Sequence, residues 1–90
     1  MVSATVTIKN PTGISIKPAG VLSNEANKFA SSIILMRDDK TVEANAKSVL
    51  SLLGAGFKVG NTLDVTCNGA DENEALEAVS RLIEDGLGEM

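Results

Sequence analysis

Asn10-Pro11-Thr12-Gly13-Ile14-Ser15-Ile16-Lys17-Pro18-Ala19 is the stretch on which the fold turns. Before it, residues 2–9 alternate apolar (Val2, Ala4, Val6, Ile8) with polar (Ser3, Thr5, Thr7, Lys9). A period of two marks a half-buried strand. After it, Val21, Leu22, Ala26 and Phe29 recur at the spacing of one helix face. The segment between carries turn residues, and Pro18 suits a first helical turn, where its missing N–H is tolerated. A strand fed through this loop into a helix places the Ser15 hydroxyl at the helix mouth. Free backbone N–H groups and a partial positive charge favour an anion there.

Working outward, Ile33 to Arg37 and Lys40 to Ala44 flank Asp38-Asp39 and read as a hairpin. Ser48 to Leu53 reads as a short helix stopped by Gly54 and Gly56. Alternation resumes over Asn61 to Cys67, through Leu63, Val65 and Cys67. Asp71 opens a last helix, with Glu74 three residues on as a variant capping box. Ala75, Leu76, Val79, Leu82 and Ile83 line its buried stripe, and Gly86 and Gly88 end it. The order is β-α-β-β-α-β-α. An antiparallel sheet with one face covered by helices satisfies every apolar stripe, so the class is α+β. No linker, repeat or low-complexity tract interrupts the pattern, which predicts one domain over residues 1–90.

Composition narrows the function. Ninety residues, 43% of them hydrophobic, suit a small folded core and not a disordered chain. No apolar run approaches the ~20 residues needed to cross a bilayer, so no membrane insertion is expected. The start lacks a signal peptide's pattern, and the lone Cys67 reads as a core hydrophobe in a reducing compartment. The expected location is the cytoplasm. With no histidine and one cysteine, a zinc site of nitrogen and sulfur ligands is excluded. No metal or cofactor is expected. Residues 1–60 carry a net +3 and residues 61–90 a net −7, giving the −4 of the chain. That balance argues against nucleic acid as a direct partner. Ser15 and Ser48, the two candidate anion positions, both lie in the basic part, where an acidic partner would dock.

The loop resembles the active-site loop of HPr, the phosphocarrier of the bacterial phosphoenolpyruvate:sugar phosphotransferase system. That family reads Thr/Ser/Asn-Gly-Ile/Leu-His-Ala/Thr-Arg-Pro-Ala. This chain keeps Gly13, Ile14, Pro18 and Ala19, but carries Ser15 at the family's phosphorylated histidine and Lys17 at its arginine. Further matches are Asn45-Ala46-Lys47-Ser48 and the Asp71-Glu72-Asn73-Glu74-Ala75 helix opening. The resemblance covers essentially the whole chain. It implies an open-faced β-sandwich: a four-stranded antiparallel sheet ordered first, fourth, second, third, with three helices on one face. Two extra residues stand between Val42 and Asn45 relative to typical members. An even insertion preserves alternation, although it could bulge the approach to the second helix and move Ser48.

In the family, the histidine takes a phosphoryl group from enzyme I and passes it to enzyme II components for sugar transport. Imidazole is nucleophilic near neutral pH. A serine hydroxyl needs a neighbouring base, and its phosphate ester would hold roughly the transfer potential of a sugar phosphate. Relay activity, or catalysis of any kind by this chain, is therefore not expected. Ser15 is readable as a plain N-cap or as a slow acceptor. Lys17 is either a phosphate contact lacking arginine's fork or an ordinary exposed lysine. Pro18 is structural either way.

Ser48 resembles the serine that HPr kinase/phosphorylase modifies in low-GC Gram-positive members. It would also N-cap the short helix without any kinase, and Lys47 lies beside it. Val49, Leu50, Leu52 and Leu53 offer more apolar surface than one short helix buries. Lys47, Val49, Leu50 and Leu53 thus form a candidate docking patch; the plainer alternative puts Leu50 and Leu53 in the core. In the family this face meets the kinase, enzyme I and the catabolite control protein. The expected function is a regulatory adaptor like the catabolite-repression HPr-like proteins, controlled through Ser48. The alternatives are a component still docking enzyme I through the Ser15 loop, as a decoy or slow acceptor, and a protein that keeps only the fold.

Overall fold

The computed structural model describes residues 1–90. Its elements are β1 (Val2–Thr7), α1 (Ile16–Ala26), β2 (Ser32–Arg37), β3 (Glu43–Asn45), α2 (Val49–Ala55), β4 (Thr62–Asn68) and α3 (Glu72–Glu84). The sheet is antiparallel throughout, in the order β1-β4-β2-β3. Register explains why the alternation read from sequence becomes one apolar face. Ala4 pairs with Val65, Val65 with Leu35, and Leu35 with Ala44, a row crossing all four strands. Cross-strand partners share a face, so this row and its neighbours Val6, Leu63, Ile33 and Cys67 meet the helices together. Ser3, Thr5, Ser32 and Asn68 face the other way and are exposed.

Each helix contributes one stripe to that layer. α1 buries Pro18, Ala19, Leu22, Ser23 and Ala26; α2 buries Leu52; α3 buries Ala75, Val79 and Ile83. Cys67 is fully buried, and burial pushes its thiol up from the ordinary range, aided by the charges of Glu72 and Asp71. Glu43 and Ala44, read from sequence as an extra pair before Asn45, cause no bulge. The β2–β3 ladder runs through Met36↔Glu43 and Leu35↔Ala44 and continues with Ala46 N–H donating to the Ile33 carbonyl at 2.9 Å.

Several boundaries differ from the sequence reading for local reasons. α1 starts at Ile16 and holds Pro18 at the third position, within the first turn; Phe29 lies beyond its end. β3 has three residues instead of five, because Asp39 to Thr41 form a cross-bonded turn. The Asp39 carboxylate accepts from Arg37 Nε at 3.1 Å, Thr41 N–H at 3.0 Å and Thr41 Oγ1 at 2.7 Å. The Thr41 and Arg37 bonds hold its pKa at about 2. α2 runs through Gly54 and stops only at Gly56, whose φ of 66° is left-handed.

The capping box expected at α3 is absent. Asp71 does not cap; its carboxylate reaches across to the α1–β2 connection and accepts from Ala30 N–H (2.8 Å), Ser31 N–H (2.9 Å) and the Ser31 hydroxyl. Those bonds, led by the Ser31 hydroxyl, hold its pKa below the ordinary 3.8. Glu72, not Glu74, reaches back, taking the Gly69 N–H at 3.1 Å. After α3, Leu87 is fully buried, and its N–H closes the helix onto the Leu82 carbonyl at 3.0 Å. This fixes the course of the last residues.

Candidate functional site

The Ser15 loop is fastened from three sides. Gly13 has φ 65°, and a Cβ there would lie 2.7 Å from the Phe57 carbonyl oxygen and 2.8 Å from Lys58 Cα. Only glycine allows that approach, which lets Ile14 N–H donate to Phe57 O at 3.1 Å. The buried Asn10 donates through Nδ2 to Gly13 O at 2.6 Å and to Glu89 Oε1 at 2.9 Å. Thr12 Oγ1 donates to the same Glu89 oxygen at 2.7 Å, and Ser15 Oγ donates to Thr12 Oγ1 at 3.0 Å. The Asn10 and Thr12 bonds hold the Glu89 carboxyl below its usual range, with Lys17 adding a smaller attraction.

Ser15 therefore occupies the N-cap position of α1, in extended backbone, without capping it. A serine N-cap accepts from the second or third helical N–H. The third residue of α1 is Pro18, which has none. Pro18 thus removes one of the two usual donors; Ser15 makes no side-chain cap bond to the other, Lys17, and its hydroxyl donates to Thr12 instead. Ile16 stands 76% exposed beside it, and Lys17 is exposed as well.

Ser48 behaves as expected. It N-caps α2, its Oγ accepting the Ser51 N–H at 3.1 Å. The segment leading to it is pinned by residues with no evident role in the sequence. Ser23 Oγ (2.9 Å) and Asn27 Nδ2 (3.1 Å) of the α1 end both donate to the Lys47 carbonyl. Asn45 Oδ1 accepts the Lys47 N–H, while Asn45 N–H donates to Ser51 Oγ, both at 2.9 Å. Lys47 Nζ is directed away from Ser48 and donates to the Phe29 carbonyl at 2.7 Å. Lys47, although next to Ser48 in sequence, is thus already committed to a backbone carbonyl.

On α2, Leu50 is 82% exposed and Leu52 fully buried. Val49 and Leu53 are half-buried and pack against the core, so Leu50 is no core residue. Of the predicted residues, the structure groups Lys47, Ser48, Val49, Leu50 and Leu53 around one helix start. Ser15, Lys17 and Pro18 cluster at another. α1 and α2 pack on each other. Sequence reading missed Ser23, Asn27 and Ser51 around Lys47 and Ser48, and Asn10, Thr12 and Glu89 around Ser15. Ser23 and Asn27 did leave a signal: polar residues four apart beside the apolar face of α1. Glu89 left none.

The family model for the PTS HPr component phosphorylation site matches residues 2–85. The chain belongs to the HPr family. It is 38% identical to the phosphocarrier protein HPr of Mycoplasma pneumoniae, covering 88% of this chain and 89% of that one. It is 39% identical to the HPr-like protein Crh of Halalkalibacterium halodurans, over 93% and 98% of the two chains. Among solved structures, HPr-C-His from Thermoanaerobacter tengcongensis superposes with a TM-score of 0.90 at 38% identity, over 100% of this chain and 99% of that one. HPr-family phosphocarriers are not catalytic enzymes in themselves. No helix of this HPr-family chain is long and apolar enough to cross a membrane.

Proposed function

We propose that this HPr-family protein is a regulatory adaptor of the phosphotransferase system, with Ser15 at the position of the family's phosphorylated histidine and control exerted through phosphorylation of Ser48. The observation that carries this reading is the Ser48 site itself. A serine hydroxyl caps α2 within the Asn45-Ala46-Lys47-Ser48 run, two residues before the exposed Leu50. Phosphorylation would add about −1.5 to −2 charges at a helix start that has no acidic residue in its first turn. The charge suits the helix dipole, so the modification alters the surface and leaves the fold in place. Lys47, Val49, Leu50 and Leu53 then form the docking patch for HPr kinase/phosphorylase and the catabolite control protein. Similarity to Crh of two species supports the catabolite-repression side of this reading.

With no histidine in the chain, transfer onward to sugar is not its task. A second reading rests on the exposed Ile16 and Lys17 beside an uncapped helix start: enzyme I docks on the Ser15 loop without efficient relay. Purified HPr kinase/phosphorylase with ATP should place one phosphate on Ser48, seen by mass spectrometry, and none on Ser48→Ala. A wild-type protein left unmodified overturns the regulatory reading. Labelled phosphoenolpyruvate with enzyme I should leave the chain unlabelled, and rapid labelling with donation to an enzyme II component would refute the loss of relay.

A further inference from the structure

We propose that Ser23 and Asn27 of α1 are positioning residues for phosphoryl transfer to Ser48, fixing the peptide plane that presents its hydroxyl. The inference rests on the reading of Ser48 as a kinase target and says what holds that target still. The Lys47–Ser48 peptide unit has two polar atoms, and both are claimed. Its oxygen accepts from Ser23 Oγ at 2.9 Å and from Asn27 Nδ2 at 3.1 Å, while its N–H donates to the Asn45 carbonyl at 3.0 Å. In a planar trans unit these atoms point opposite ways, so bonds at both resist rocking of the plane. The following unit is fixed too, because the Ser48 carbonyl accepts the Leu52 N–H at 3.0 Å. Ser48 Oγ is itself turned to the Ser51 N–H.

The α1 donors are braced in turn. Ser23 is buried, and Asn27 Nδ2 also reaches the Ser23 carbonyl, one turn back, at 2.8 Å. In the transfer, Ser48 Oγ bonds the γ-phosphorus of ATP and ADP leaves with the electron pair of the broken P–O bond. The hydroxyl proton passes to a basic side chain of the kinase. Such in-line attack tolerates little misplacement of the attacking oxygen. The exposed Leu50 takes part in none of these bonds, so docking and alignment are separable.

Initial rates with purified HPr kinase/phosphorylase and saturating ATP, at varied concentrations of the full chain, test this. Asn27→Asp keeps the shape of the side chain but its carboxylate has no N–H to donate. It and Ser23→Ala should each lower kcat roughly 2–10-fold, the net worth of one hydrogen bond, with KM nearly unchanged. Leu50→Ala should show the opposite split, a raised KM with kcat kept. By NMR, the Ser48 amide should exchange faster in both α1 variants while core amides such as Val65 stay protected, which separates lost alignment from lost fold. A wild-type protein left unphosphorylated removes the reading of Ser48 and this inference with it. A phosphorylated wild type with kcat unchanged in Asn27→Asp and Ser23→Ala overturns the positioning role alone, and so does a fall in kcat that comes with lost Val65 protection.

Discussion

Ser15 and Ser48 hold the same post. Each is a serine in extended backbone at the N-cap of a helix that packs against the other's helix. Ser48 bonds the N–H of Ser51, three residues on. Ser15 finds Pro18 three residues on and bonds Thr12 instead. Pro18 thus takes from Ser15 the third-position donor that Ser48 uses, leaving only the Lys17 N–H. The stretch before Ser48 is held by the neutral side chains of Ser23, Asn27 and Asn45 and by the Lys47 ammonium on the Phe29 carbonyl. The Ser15 loop is held by the Glu89 carboxylate. Capping propensity belongs to a serine together with the residue at the third helical position, not to the serine alone.

The first test concerns the loop's anchorage. Gly13→Ala combines a left-handed φ with a Cβ meeting backbone atoms of Phe57 and Lys58 that cannot rotate away. It should cost about 2–4 kcal/mol in urea unfolding and displace amide resonances around Ser15 while sparing those around Ser48. A loss under about 0.5 kcal/mol would mean that the close approach is not needed.

The comparison itself is read from paired alanine variants. Ser48→Ala should lose about 0.5–2 kcal/mol, as a working cap does. Ser15→Ala should stay within about 0.5 kcal/mol of wild type, as a surface substitution does. Equal losses would break the contrast.

A smaller, local effect separates the two sites by pH. Glu89 has a folded pKa below its ordinary 4.5, so its bonds are at full strength above that value and are lost as pH falls through the depressed midpoint. In an acid titration followed by NMR, amides of residues 10–17 should shift below pH 4.5 while those of residues 47–51 stay still. Glu89→Gln should remove that step. The least perturbing change is Leu50→Ala, within about 0.5 kcal/mol because its side chain is exposed, whereas Leu52→Ala should cost about 2–5 kcal/mol.

Much of the molecule was legible from residue order. Alternation over residues 2–9 and 61–67 placed β1 and β4, and the run around Ser48 marked α2 with its cap. These features depend on neighbours a few residues apart, so periodicity and the third-position N–H suffice to read them. Even the loss of Ser15's third-position donor was written in the chain as Pro18, although the general preference of serine for N-caps obscured it.

What the chain order could not say was which distant group would claim each polar side chain. Asp71 looked like the first member of a capping box, yet it bonds Ala30 and Ser31, forty-one and forty residues away. Leu50 and Leu52 looked equivalent until helix packing buried only one. Glu89 meets Asn10 and Thr12 because a buried Leu87 and a left-handed turn bring the end of the chain to its first loop. Short-range sterics and hydrogen bonding settle secondary structure within a few residues. The partner of a long-range polar group is settled only when the apolar faces close and fix which segments lie side by side.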